Sequence, residues 1–125
     1  QLLFFIASKQ QRIVAGAICF RSDTTLYGRH WGCNDNYHSL HFEACYYQGI
    51  DYCIRHGLQV FEPGAQGEHK ISRGFLPTPT WSAHWIRQRE FRHVIARHLA
   101  QETAAMRDYM DELSAHSPFK QGQAA

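Results

Sequence analysis

"YHSLHFEACYYQGIDYCIRHGLQVFEPG", residues 37–64, decides the fold class, because the hydrophobic period changes inside it. Leu40, Ala44, Tyr47, Ile50 and Ile54 recur at steps of three and four, the spacing that puts side chains on one helical face, so a helix is predicted over about 38–56. His56-Gly57 ends it with a cation in the last turn and a glycine just past it. "LQVFE" (58–62) then reads as a short strand broken by Pro63-Gly64.

Upstream, "LLFFIA" (2–7) and "RIVAGAICF" (12–20) are apolar, partly β-branched runs joined by Ser8-Lys9-Gln10-Gln11, a hairpin pattern. "TTLYGRHWG" (24–32) makes a third antiparallel strand, and "GCNDN" (32–36) is loop chemistry. Strands are expected at about 2–8, 12–21 and 24–32. Downstream, "FLPTPTWSAHW" (75–85) is extended and proline-marked, an edge strand or an irregular arm. A long helix follows over about 86–116, with Phe91, Ile95, Leu99, Met106, Tyr109 and Leu113 on its apolar side, and the tail from Ser117 is expected to fray. A helix between strands three and four implies a crossover. The expected class is therefore α/β (α+β): a mixed sheet with an antiparallel three-strand meander, then helix, strand, loop, edge strand and long C-terminal helix.

At 125 residues the chain is expected to form a single domain. Its 44% hydrophobic and 19% charged residues are those of a globular protein, and no apolar run approaches the roughly 20 residues of a membrane-spanning helix. A net charge of +2 gives no electrostatic case for nucleic-acid binding. Nine histidines make the charge climb as pH falls through about 6.5. Cys19, Cys33, Cys45 and Cys53 form no C-x-x-C pair, so reduced thiols and a cytoplasmic location are expected. The chain opens on "QLLFFIA", which reads as the inside of a strand. A piece of a longer protein is expected, with self-association through the apolar Leu2–Ile6 surface, as in a homodimer.

Four constellations carry possible chemistry. His38, His41 and Cys45 fall at i, i+3 and i+7 and could face one way as metal ligands, but no fourth ligand accompanies them, so no metal is expected. Cys33, just before the helix, is the one cysteine placed for activation, yet no base is visible beside it. Most aromatic residues fall on apolar faces, leaving Trp81 and Trp85 as the open candidates for stacking. The fourth constellation is "FEPGAQGEHKISRGF" (61–75), with Glu62, Glu68, His69, Lys70 and Arg73 among Gly64, Gly67 and Gly74. It matches neither G-x-x-x-x-G-K-S/T nor G-x-G-x-x-G before a helix. From the residues alone, a solvated loop and a site remain equally open.

"LYGRHWG", followed by "YHSLHFEACYYQGIDYCIRHGLQVFEPGAQGEHKISRGFLP", resembles the C-terminal part of FemAB-like proteins (peptidoglycan biosynthesis or recognition) within the GNAT N-acyltransferase superfamily. The shared pattern is a strand near Tyr-Gly, a helix with an aromatic-acidic start, a glycine stop, a short strand and a loop closing on K-x-x-R-G-F, here Lys70 to Phe75. The resemblance covers about residues 25–95. It implies a partial GNAT-like fold and transfer of an acyl or aminoacyl group from acyl-CoA or aminoacyl-tRNA to an amine, with a cell-wall precursor or another small molecule as substrate. Two departures stand out: "GRHWGCNDNYHSLHFEA" lacks the acyl-CoA motif Q/R-x-x-G-x-G/A, and the first strand and first two helices of a GNAT domain are absent.

Under that reading Glu62, at a strand end beside Pro63, is the first choice of base, with Glu68 and His69 as alternates. Lys70 and Arg73 would hold an anionic donor or acceptor, Gly74 would permit the turn between them and Phe75, and Ser39 at the helix start would add donors. The competing expectation is a GNAT-derived binding module that recognises a cell-wall precursor or a protein partner without catalysis.

Overall fold

The structure is a computed structural model that describes residues 1–64 and 67–119. They fall into two compact units, one ending at Gln66 and the other beginning at Gly67.

The first unit is a four-stranded sheet carrying one helix. Strands β1 (Leu2–Lys9), β2 (Arg12–Arg21) and β3 (Thr25–Cys33) form an antiparallel meander, and β4 (Val60–Glu62) adds to β3 in parallel, giving the order β1-β2-β3-β4. The expected helical crossover is what makes that last pairing parallel. Gln10 and Gln11 both hold positive φ (49° and 62°), so the β1–β2 connection is a two-residue turn of the kind that matches strand twist. Neither is glycine or asparagine, and each bears the left-handed penalty. Gln11→Gly is expected to stabilise the protein by roughly 0.5–1 kcal/mol, read as a higher urea midpoint at unchanged slope.

The helix covers 40–56 in three parts: α1 (Leu40–Phe42), a π segment (Glu43–Tyr47) and α2 (Gln48–His56). The π segment corrects the expected helix face. Its wider turn rotates the side chains, so that Ala44, Tyr46, Gly49 and Cys53 are buried while Tyr47 and Ile54 are exposed, Ile54 by 74%. Gly57 (φ 66°) stops the helix as expected. Its N–H reaches Ile54 O and the Leu58 N–H reaches Cys53 O at 2.9 Å, the two bonds of a Schellman motif.

Strand alternation sorts the sheet into two faces. Leu3 and Phe5 of β1, Ala15, Ala17 and Cys19 of β2, and Leu26 of β3 point to the helix, where Cys19, Leu26 and Cys53 form the buried centre, packed by Tyr52, Leu58 and Phe61. Phe5 meets Tyr52 edge-on at 6.0 Å, and Arg21 Nη1 donates to the Tyr52 hydroxyl at 2.8 Å. Gly49 lets Phe61 lie against the helix, because a Cβ there would stand 2.5 Å from its ring. Leu2, Phe4, Ile6, Phe20 and Tyr27 occupy the other face and are exposed.

The second unit holds a 3-10 turn (Glu68–Arg73) and the long helix α3 (Arg89–Ala115). Of the two expectations for 75–85, an edge strand or an irregular arm, the strand does not form and the irregular arm does. That segment has no regular structure, consistent with Pro77 and Pro79, which bring no N–H to a ladder. Phe119 sets its ring 2.6 Å from where a Gly74 Cβ would stand, and residues 120–125 of the expected frayed tail lie outside the described residues.

Candidate functional site

Two places in the first unit are candidate sites. One is a notch where β3 and β4 part. Their pairing stops at Tyr27↔Glu62, whereas β3 runs on to Cys33. A β-bulge falls just beyond, since Cys19 pairs with Gly28 and Ile18 with His30, leaving Arg29 as the extra residue. Such bulges re-aim side chains where pairing ends. Gly28 has no Cβ to obstruct Pro63, whose backbone would lie only 3.3 Å from one. Glu62, the last residue of β4, is exposed at this point. The notch therefore lies at the carboxyl end of β4, where its pairing with β3 stops, with one carboxylate beside it.

The other is a cleft of about 470 Å³ between the β1–β2 hairpin and the start of the helix, lined by Ala7, Ser8, Lys9, Val14, Tyr37, His38, Ser39, Leu40, Glu43 and Tyr47. Lys9 Nζ sits 5.8 Å from the Tyr37 ring centre, a cation–π distance. Ser39 holds φ 61°, an uncommon conformation for a residue with a side chain, and its Oγ lies 3.0 Å from His38 Nδ1. The Glu43 carboxylate is fixed by a 2.8 Å bond from Gln48 Nε2. Of the expected site residues only Ser39 lines this cleft. Lys9, Tyr37 and Glu43 escaped sequence reasoning because the hairpin turn and the helix start meet only in the fold. Ser39 and Glu62 are not brought together: the cleft borders β1 and β2, and Glu62 ends the strand at the opposite edge of the sheet.

The remaining expected residues lie on the 3-10 turn of the second unit. Gly67 (φ 107°) and Gly74 (φ 86°) bracket it in conformations that favour glycine. Arg73 Nη1 donates to the His69 carbonyl at 2.7 Å and to Ser72 Oγ at 3.2 Å, and Ser72 Oγ donates to the same carbonyl at 2.9 Å. Lys70 and Ile71 are buried. Glu68 accepts a 2.5 Å bond from the Tyr109 hydroxyl, which raises the Tyr109 pKa because the carboxylate favours the protonated phenol. Glu68, His69, Lys70, Arg73 and Gly74 thus share one turn, knitted largely by bonds among themselves.

Among the described residues no group of three or more His, Cys, Asp or Glu side chains is placed to hold a metal ion. His41 instead packs its ring against Trp31, Phe42 and Tyr46 at 5.4–5.5 Å. Trp81 and Trp85 are exposed, as is Cys33. Burial, with Cys53 nearby, pushes the Cys19 thiol from 9.0 up to about 11, and burial also raises Cys53. The unfolded chain releases these protons near pH 9 while the folded chain keeps that of Cys19 to about 11. Stability that is complete below pH 9 should therefore fall between pH 9 and about 11, by up to roughly 2–3 kcal/mol for Cys19. Urea midpoints measured across that window should drop more steeply for the wild type than for Cys19→Ala, and equal slopes would contradict the assignment.

No helix among the described residues is long and apolar enough to cross a membrane. No curated protein and no solved structure matches the chain. The family model described as peptidoglycan biosynthesis/recognition, FemAB-like, matches residues 1–121. A match over nearly the whole sequence places both the notch and the cleft inside the family's own domain, and the chain belongs to the FemAB-like family of peptidoglycan biosynthesis/recognition proteins.

Proposed function

We propose that the chain is an acyl- or aminoacyl-transferase domain with a GNAT-like fold, moving an acyl group onto an amine of a peptidoglycan precursor. The observation that carries this reading is the notch, where two parallel strands part beside a bulge and a carboxylate stands at the exit. The peptidoglycan assignment of the family supplies the substrate class. In the step, the acceptor ammonium gives a proton to Glu62. The amine lone pair forms the new C–N bond at the acyl carbon, and the bond to the donor breaks. The leaving group is a CoA thiolate or a tRNA ribose oxygen, and it takes up a proton. β3 backbone amides at the parting are suited to face the developing oxyanion. In the second unit, the guanidinium of Arg73, fixed by the His69 carbonyl, is by itself suited to an anionic group such as a phosphate, with Lys70 and Gly74 on the same turn.

The cleft favours a second reading, recognition without catalysis. Lys9 at one rim and the fixed carboxylate of Glu43 at another match a stem peptide bearing both a carboxylate and an amine. One experiment separates the two. The protein is incubated with an amine-bearing muropeptide and either acyl-CoA or aminoacyl-tRNA, and products are read by mass spectrometry alongside the thermal shift. New amide product supports transfer. A thermal shift with muropeptide, but no product from either donor, supports recognition. Neither a shift nor product would overturn both.

A further inference from the structure

Helix α3 spans 27 residues and buries none of its side chains, although it carries an apolar stripe interrupted only at Glu102. Phe91, Ile95, Leu99, Met106, Tyr109 and Leu113 recur along it, and from Ile95 the steps run four, three, four, three and four once Glu102 is included. That is the 3.5-residue period of a helix–helix seam, not the broader stripe of a helix packed on its own domain. From Phe91 to Leu113 the seam is roughly 33 Å long, about three heptads. Leu99 and Met106, near its middle, are each about half exposed (49% and 48%).

The charges on the same helix are divided by halves. The first half carries Arg89, Arg92 and Arg97 against Glu90, and the second carries Glu102, Asp108, Asp111 and Glu112 against Arg107. This opposes the helix dipole, which favours acids at the N-terminus and bases at the C-terminus, so an isolated α3 is destabilised by its own charges. A neighbour with the reverse charge gradient would compensate. A parallel copy would set base beside base and acid beside acid, whereas an antiparallel copy sets each basic half beside an acidic one.

We propose that α3 pairs antiparallel with α3 of a second copy of this chain, burying the Phe91–Leu113 seam between them. Two features on one helix, the unburied seam and the reversed charge gradient, are satisfied together by that one partner. Glu102 is the single charge in the seam and sits near its middle. A polar residue there trades affinity for register, so Glu102→Leu should tighten the pair.

Sedimentation velocity on the full chain tests this. Wild type is expected to be dimeric at high micromolar concentration, and the double variant Leu99→Asp/Met106→Asp monomeric, with its helical signal retained. Should that variant fail to fold, charge exchange decides the matter. Arg89→Glu/Arg92→Glu alone and Asp108→Lys/Asp111→Lys alone should each weaken the dimer by at least about tenfold, and mixing the two variants should restore association. A wild-type monomer would overturn the proposal. So would a dimer that survives the seam substitutions, because the contact would then lie elsewhere, with the exposed Leu2, Phe4 and Ile6 face of the sheet the next place to look. Failure of the mixture to regain association would overturn the antiparallel arrangement.

Discussion

Glu62→Gln is expected to lower kcat/KM for amide formation on a muropeptide amine by about 10²–10⁴-fold, roughly 3–5 kcal/mol of transition-state stabilisation. Glutamine keeps the size and the hydrogen-bonding oxygen of the side chain but cannot take the ammonium proton. Because Glu62 is exposed at the end of β4, the change should move folding stability by no more than about 0.5 kcal/mol, so lost rate would not reflect lost fold. Glu68→Gln and His69→Ala provide the contrast. Glu68 already accepts from Tyr109 of α3, and both residues belong to the 3-10 turn of the second unit. Each should cost less than about tenfold, or 1.4 kcal/mol. A Glu62→Gln enzyme of full activity beside an inactive Glu68 or His69 variant would move the base to the second unit.

The strands were legible because their signals are local. Period-two apolar runs and the polar Ser8–Gln11 break placed β1 and β2 to within a residue or so, and the change of period after Asn36 marked the crossover that makes β4 parallel. The helix face was less legible. A single π turn at Glu43–Tyr47 shifts every later side chain, and nothing in the local residue pattern announces it. A regular 3.6-residue reading therefore chose Tyr47 and Ile54, where the fold buries Tyr46 and Cys53. The segment 75–85 offered β-like composition with two prolines, and the prolines prevailed.

The site was legible in part, for a related reason. Ionisable residues close in sequence, Glu68 to Arg73, were easy to see, yet much of their bonding serves the turn itself. The cleft gathers Lys9 and Glu43 from 34 positions apart, and the notch depends on where β4 stops pairing with β3. Both are products of sheet register, which short-range patterning does not report.

The same contrast between pattern and packing sets up a stability test. Leu26→Ala should destabilise the protein by about 3–5 kcal/mol, while Ile54→Ala should cost no more than about 0.5 kcal/mol. Both are large aliphatic side chains in regular elements, and a sequence reading ranks Ile54 as core. Leu26 has no exposed surface, lies on β3 between β2 and β4, and meets Cys19 and Cys53 at the centre of the first unit. Hydrogen-bonded strands on both sides keep the backbone from closing over a deleted isobutyl group, and Gly49 opposite has no side chain to move in. The cavity would persist, and its cost adds to the lost transfer energy. Against a total stability of about 5–15 kcal/mol, that is a large fraction from one residue. Urea unfolding of the two variants at matched slopes gives the comparison. A Leu26→Ala loss near 1 kcal/mol would mean that the site collapses. An Ile54→Ala loss of similar size to that of Leu26→Ala would put Ile54 back in the core and remove the π turn as the reason the helix faces the sheet through Tyr46, Gly49 and Cys53.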